Sequence, residues 1–188
     1  MNTDLFDRSV KFAVDAHRGT ERKGKGYPYI LHPMEAAGIV ASISVDPELL
    51  AAAMLHDTVE DTDVTLEQIR QEFGDRVATM VCHETSPLPH SAPWRERKQA
   101  QADQIASAPR DSKIVALGDK LSNLRTIVTD YRKMGDDLWK RFHAPGGKAD
   151  IVWYYSLLAD AFTPLAGTAA YEEFCALLRE LKEGNCDL

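Results

Sequence analysis

Apolar residues recur three and four positions apart along most of the chain, and stretches of alternating β-branched and aromatic residues are nearly absent. That pattern predicts an all-α protein. Thr3 with Asp4 behind it marks a first helix, carried by Phe6, Val10, Phe12, Ala13 and Ala16 to about His17. The Gly-rich, basic stretch from Arg18 to Tyr29 interrupts the period and reads as a loop. Pro33 suits the first turn of a helix to about Ser42, and Asp46-Pro47-Glu48 repeats that start signal before the almost wholly apolar Leu49–Leu55 segment. Thr65-Leu66-Glu67-Gln68 has the form of a capping box for a short helix to Phe73, which Gly74 ends, and a further helix spans about Asp75 to Glu84. The prolines from Ser86 to Pro93 mark a loop. Helices are then predicted over Trp94–Ser107, Arg110 to about Val128, about Asp150–Leu165 and Ala169–Glu183.

Composition narrows the class. With 188 residues, 44% of them hydrophobic and 27% charged, the chain fits one globular domain, residues 1–188, with a buried core. A formal net charge of −7 argues against a nucleic-acid or anionic-membrane binder, so a small anionic ligand needs basic residues gathered locally. No apolar run is long enough to span a bilayer and the N-terminus lacks the order of a signal peptide, which makes the cytoplasm the expected location. Cys82, Cys175 and Cys186 lack metal-type spacing and are odd in number, so buried or incidental thiols are expected rather than disulfides. The apolar faces of the last helices suit either internal packing or a second copy of the chain, leaving a homo-oligomer open.

The chemistry concentrates in His56-Asp57-Thr58-Val59-Glu60-Asp61, at the end of the apolar helix. His56 and Glu60 are four apart, as are Asp57 and Asp61, so helical geometry lets each pair share a face. Carboxylates resist burial unless paired, hydrogen-bonded or bound to a cation. A divalent ion meets that demand, and imidazole with carboxylate suits manganese, iron or zinc. The plainer alternative is a satisfied core histidine beside a solvated acidic turn, Glu60 to Asp63. Two distant segments weigh against it. His32 follows the apolar Tyr29-Ile30-Leu31, and Asp119 interrupts the ladder Ile114-Val115-Ala116-Leu117-Gly118-Asp119-Lys120-Leu121, where an unpartnered acid would be destabilising. Asn123 lies one helical turn beyond Asp119.

The order His32-Pro33, His56-Asp57, Glu60-Asp61-Thr62 and Ala116-Leu117-Gly118-Asp119-Lys120-Leu121-Ser122-Asn123-Leu124 resembles the hydrolase domain of RelA/SpoT proteins and the stand-alone small alarmone hydrolases. The resemblance runs from about Phe12 to Tyr155 and implies a single compact HD-domain helical bundle. It implies that His32, His56, Asp57 and Asp119 ligate one divalent ion, usually manganese, and that Glu60 and Asp61 activate or orient the attacking water. The implied reaction removes the 3′-pyrophosphate of guanosine tetra- or pentaphosphate. Arg22 and Lys23 match a basic pair beside the nucleotide, Lys98 matches a phosphate-contacting lysine, and Asn123 and Tyr154 match positions on the sugar and phosphate side. Read without the resemblance, Arg22 and Lys23 are a solvated loop, Lys98 is one charge on a polar helix face, and Trp153-Tyr154-Tyr155 is plain aromatic core.

Departures bear on the substrate. A family arginine falls opposite Asp150, with Lys148 the nearest replacement, and the loop after Thr85 lacks the pattern of the bifunctional enzymes. The Leu138–Pro145 segment looks like a subgroup of small bacterial proteins. A chain of this length has no room for a synthetase domain. The same site acting on another phosphorylated nucleotide, or a regulator that binds nucleotide without turnover, are the competing readings.

Overall fold

A computed structural model describes residues 3–184. Cys186 lies outside them. The elements in order are α1 (Asp4–Ala16), α2 (Leu31–Ala41), α3 (Pro47–Leu55), α4 (Thr58–Asp61), α5 (Leu66–Phe73), α6 (Asp75–Glu84), α7 (Trp94–Ser107), α8 (Arg110–Met134), α9 (Lys148–Ala161) and α10 (Ala169–Glu183). Short 3-10 turns cover Gly135–Arg141 and Thr163–Leu165. Among the described residues the sole β feature is an isolated bridge between Glu21 and Pro28, so the all-α prediction holds.

The start signals act as expected at two helices. Asp46 accepts from the Glu48 amide at 3.0 Å, and Thr65 and Gln68 close a reciprocal capping box. Thr3 behaves differently: its hydroxyl donates to the Asp7 carboxylate at 2.9 Å and caps no backbone amide. Helix α2 begins two residues before Pro33, because Leu31 and His32 donate to the Pro28 and Tyr29 carbonyls and turn the chain early. Helix α8 runs six residues past the expected Val128 to Met134, and a last helix expected to reach Leu165 ends at Ala161 in favour of a 3-10 turn.

Helix α3 is buried all round, with Ala51, Ala52, Ala53, Met54 and Leu55 fully sequestered, as its unbroken apolar run demands. It packs on α1, α2, α6 and α8, while α9 and α10 close the other side against α7 and α8. The core therefore runs from Leu49, Met54 and Leu55 through Leu117, Leu121 and Leu124 to Leu158, Phe162 and Phe174. No helix among the described residues is long and apolar enough to cross a membrane. Cys82 is exposed and Cys175 half-buried, and both are free thiols, so of the two alternatives for the cysteines burial does not apply to Cys82.

The crossing of α2 over α8 positions the chemistry. A Cβ on Gly118 would stand 2.8 Å from both the Ala36 carbonyl oxygen and Val40 Cγ2, so only glycine permits this approach. Overpacking costs about 1–3 kcal/mol, against about 1 kcal/mol gained when alanine replaces glycine in a helix. The obstruction here is backbone, which cannot rotate away, so Gly118→Ala should be a net loss. A calorimetric Tm a few degrees below wild type is expected; an unchanged or higher Tm would mean the two helices part cheaply.

Candidate active site

Helix α3 delivers His56 and Asp57 at its end, α2 delivers His32 and α8 delivers Asp119. One donor atom each of His32, His56 and Asp119 lies within 4.8 Å of the others, all three residues being buried. Asp57 Oδ2 approaches from beside them, 2.8 Å from His56 Nε2 and 3.5 Å from His32 Nε2. His32 Nε2 is 3.0 Å and His56 Nε2 3.5 Å from Asp119 Oδ1. Four residues separated by up to 87 positions, the set that the family resemblance implies, thus lie together in the fold.

The local backbone is not the continuous helix expected. His56 and Asp57 form a turn between α3 and the short α4. The His56 imidazole donates from Nδ1 to the Ala53 carbonyl at 2.8 Å, and Thr58 Oγ1 donates to the Leu55 carbonyl at 2.7 Å. Side chains thereby compete for carbonyls that a continuing helix would use. Asp57 and Asp61 still face one another, with the Tyr29 hydroxyl within hydrogen-bond distance of both carboxylates, at 3.1 Å from Asp61, and its single proton shared between them. No such link joins His56 to Glu60. Glu60 instead reaches the Ser86 amide, which donates to its carboxylate at 3.4 Å.

Hydrogen-bond directions identify the open valence of the cluster. A carbonyl only accepts, so Nδ1 of His56 carries a proton and its Nε2, in the neutral ring, presents a lone pair. That Nε2 is buried without a hydrogen-bond partner, and what faces it are two carboxylates. Lone pair against carboxylate is repulsive unless a proton or a cation lies between. Burial alone would lower the His56 pKa, but the charges of Asp57 and Asp119 outweigh it and hold the value well above the ordinary imidazole range. Desolvation would raise Asp119, and Lys120 with His56 overcomes this to keep it well below the carboxylate range. Asp57 is likewise held low against its burial by His56 and His32. In the metal-free protein a proton therefore fills the gap at His56 Nε2; a divalent ion taking its place would meet imidazole nitrogen and two anionic carboxylates, a donor set that suits such an ion.

The cluster lies behind a cavity of about 1070 Å³, large enough for a nucleotide. Its lining carries eight lysines and arginines against three acids, inverting the sign of a chain whose net charge is −7. Every expected ligand-contacting residue is there. Arg22 donates to the Asn123 side-chain carbonyl and stacks over Tyr29, its guanidinium carbon 5.4 Å from the ring centre. The Asn123 amide donates in turn to Asp119. Lys23 sits 3.5 Å from His143 Nε2. Lys98 donates to Gln101 at 3.0 Å and lies 4.9 Å from the Tyr154 ring centre, so it is no plain member of a solvated helix face. Tyr154 and Tyr155 are both buried and both line the cavity, with the Tyr154 hydroxyl donating to Gln101 at 2.7 Å.

Lys148 does not replace the arginine expected opposite Asp150. Its Nζ turns to Tyr131, whose hydroxyl is 3.1 Å away. Asp150 is buried and accepts from Arg95 at 3.0 Å and from the Gly146 amide at 2.8 Å, which fixes the loop before α9 instead. Other site members escaped the sequence reading. Tyr29 links Asp57 to Asp61; buried His17 stacks on Tyr29 at 4.7 Å; and Lys120 joins Asp119 to Glu84, whose carboxyl burial pushes up to about 7. The segment from Gly135 to His143 contributes Lys140, Arg141 and His143 to the basic wall. Tyr29 had a signal in its apolar surroundings beside His32; the others depend on which helices meet.

A family model described as an HD domain matches residues 9–147, about three quarters of the chain. The chain belongs to the HD domain family. This HD-domain protein is 39% identical over 129 residues to guanosine-3′,5′-bis(diphosphate) 3′-pyrophosphohydrolase MESH1 of Danio rerio, covering 67% of the chain and 71% of the relative. It is 34% identical over 128 residues to the guanosine-3′,5′-bis(diphosphate) 3′-pyrophosphohydrolase of Aquifex aeolicus, where the match covers 67% of the chain but only 18% of that longer protein. The HD fold also superposes, with a TM-score of 0.77 and 26% identity, on the solved structure of a metazoan ortholog of SpoT that hydrolyzes ppGpp, covering 96% of this chain and 97% of the other.

Proposed function

We propose that this HD-domain protein is a metal-dependent (p)ppGpp 3′-pyrophosphohydrolase, converting guanosine tetra- or pentaphosphate and water to GDP or GTP and pyrophosphate. The observation that carries the reading is the buried His32, His56 and Asp119 cluster, with Asp57 beside it, bonded through Tyr29, Lys120 and Asn123 to the wall of a basic cavity of nucleotide size. The named activities of its relatives support the substrate. His32, His56, Asp57 and Asp119 would hold one divalent ion, manganese being the expected one. Bound there, the ion supplies a Lewis acid that acidifies water and offsets charge developing on phosphorus.

The chain's own residues do the rest. Glu60 and Asp61 stand one turn beyond Asp57, where a carboxylate can take the proton of the attacking water. Burial and the neighbouring Asp57 charge raise Asp61 above the usual carboxylate range, which suits a group that accepts and returns a proton. Tyr29 keeps Asp57 and Asp61 in register. Arg22, Lys23 and Lys98 supply charge for the phosphates, and Asn123 and Tyr154 contact the sugar and phosphate side, each from the cavity wall. A homo-oligomer and a cytoplasmic location remain part of the same proposal.

One observation favours a second reading, the same site acting on another phosphorylated nucleotide: Asp150 is committed to Arg95 and offers the cavity no cation. Incubating manganese-loaded protein with ppGpp and resolving the products decides between them. Pyrophosphate and GDP are expected; phosphate released from a different nucleotide, with ppGpp intact, would sink the leading assignment.

The same assay has a predicted pH dependence. Burial brings the Lys98 ammonium down to about 8. A lysine with a lowered pKa is charged below that value and neutral above it, so kcat/KM should fall as pH rises through about 8 while kcat, measured on the bound complex, holds further. Lys98→Arg should move that limb to higher pH; an unmoved limb would assign it to another group.

A further inference from the structure

Behind His32 runs a chain of polar contacts that the reaction itself does not use. His32 Nδ1 is 2.8 Å from Ser122 Oγ, and Ser122 Oγ donates to Glu35 Oε2 at 2.8 Å. Arg125 donates to the other Glu35 oxygen at 3.1 Å and is itself gripped by both Glu173 oxygens at 2.7 Å. The sequence gives α2 both His32 and Glu35 at a spacing of three, and α8 both Ser122 and Arg125 at the same spacing, so the close crossing at Gly118 brings two helix faces into register. Glu173 adds α10 to the chain.

Counting protons fixes the direction. A hydroxyl has one proton, and a carboxylate paired with Arg125 can only accept, so Ser122 spends its proton on Glu35. Its oxygen is then an acceptor toward His32. The His32 ring must therefore carry its proton on Nδ1, which leaves the Nε2 lone pair facing Asp119 Oδ1 at 3.0 Å and Asp57 Oδ2 at 3.5 Å. The competing tautomer places the proton on Nε2 and donates it to Asp119, which would blunt the ring as a ligand.

We propose that Glu35, acting through the Ser122 hydroxyl, sets the tautomer of His32 and so presents its Nε2 lone pair to the divalent ion. Glu35 and Ser122 are positioning residues: neither touches the reacting atoms. The inference rests on the metal reading given above, and it assigns a role to residues on the far side of the ligand from the cavity. It also has an unexpected corollary. Removing Glu35 frees the Ser122 proton to point back at Nδ1, which actively supports the wrong tautomer. Glu35→Ala should then harm the site at least as much as Ser122→Ala, although Glu35 is one residue further from the ligand.

The test compares wild type with Ser122→Ala, Ser122→Thr, Glu35→Ala and Glu35→Gln. Mn2+ affinity is measured by electron paramagnetic resonance titration, and histidine tautomers by 15N NMR on metal-free protein at a pH above the imidazole range. Loss of a ligand's hydrogen-bond partner typically weakens metal binding by roughly 10–100-fold. That loss is expected for both alanine variants, together with a larger share of the Nε2–H tautomer at His32. Ser122→Thr keeps the hydroxyl and Glu35→Gln keeps an acceptor, so both should return toward wild type, which a general packing defect would not allow. Equal affinity and an unchanged His32 tautomer in both alanine variants would overturn the inference. Should wild type itself bind no Mn2+, the metal reading fails and takes the ligand role with it, while the metal-free spectra still decide whether Glu35 and Ser122 set the ring proton.

Discussion

Asp57→Asn is expected to abolish manganese binding and turnover together. Asp57 Oδ2 lies between the two histidine Nε2 atoms, at 2.8 and 3.5 Å, and is the carboxylate nearest His56. An amide of the same shape removes one of the two negative charges that make the cluster attractive to a divalent ion, and it can turn a donor toward the nitrogen lone pairs. Losing the Lewis acid should lower kcat/KM by about 10³-fold or more, on the order of 4 kcal/mol of transition-state stabilisation. The fold should survive, because Asp57 is partly buried at a turn and Tyr29 can donate to an amide oxygen as well as to a carboxylate. Thermal unfolding with and without Mn2+ separates these effects. A ligand that binds only the native state raises stability by RT ln(1 + [L]/Kd), so wild type should gain Tm with manganese and Asp57→Asn should not. Full activity in a variant that binds no ion would show that the site has been misassigned.

The helices were readable where start signals and apolar period agreed. Asp46, Thr65 and the capping box are cases in which local hydrogen bonding and tertiary packing ask for the same boundary. The errors fall where they disagree. Gly135-Asp136-Asp137-Leu138-Trp139 has no helical period, yet it forms a 3-10 turn because Leu138 is pulled into the core and Trp139 stacks on Tyr131 at 5.1 Å. His56-Asp57 breaks the helix on which the i, i+4 pairing of its acids was read, because two side chains take its carbonyls. At the site, His32 and Asp119 were legible as polar residues embedded in apolar runs, a costly arrangement that needs a reason. Lys120 with Glu84, Ser122 with Glu35 and Asp150 with Arg95 were not, since each pair joins two helices and a sequence does not display which faces meet.

Glu60→Gln should part binding from catalysis in the opposite way to Asp57→Asn. Glu60 stands four residues past His56; where Asp57 comes within 2.8 and 3.5 Å of the two histidine Nε2 atoms, the Glu60 carboxylate accepts instead from the Ser86 amide at 3.4 Å. Its charge is felt by Lys98 and Tyr154 on the cavity wall, and its neighbour Asp61 lines that cavity. A carboxylate so placed can receive a proton from water without being one of the four proposed ligands. The glutamine keeps shape and the Ser86 contact while removing the base, so Mn2+ affinity and the manganese-dependent gain in Tm should be retained. General-base catalysis contributes roughly 10²–10⁴-fold, and a loss of that size in kcat with little change in KM is the expected result. Asp61→Asn is the informative companion, because Tyr29 already occupies one Asp61 oxygen and its pKa is raised. If Asp61→Asn shows the larger kcat defect, the proton goes to Asp61 and Glu60 orients the water; if Glu60→Gln instead loses its metal, Glu60 is a ligand and the donor set must be redrawn.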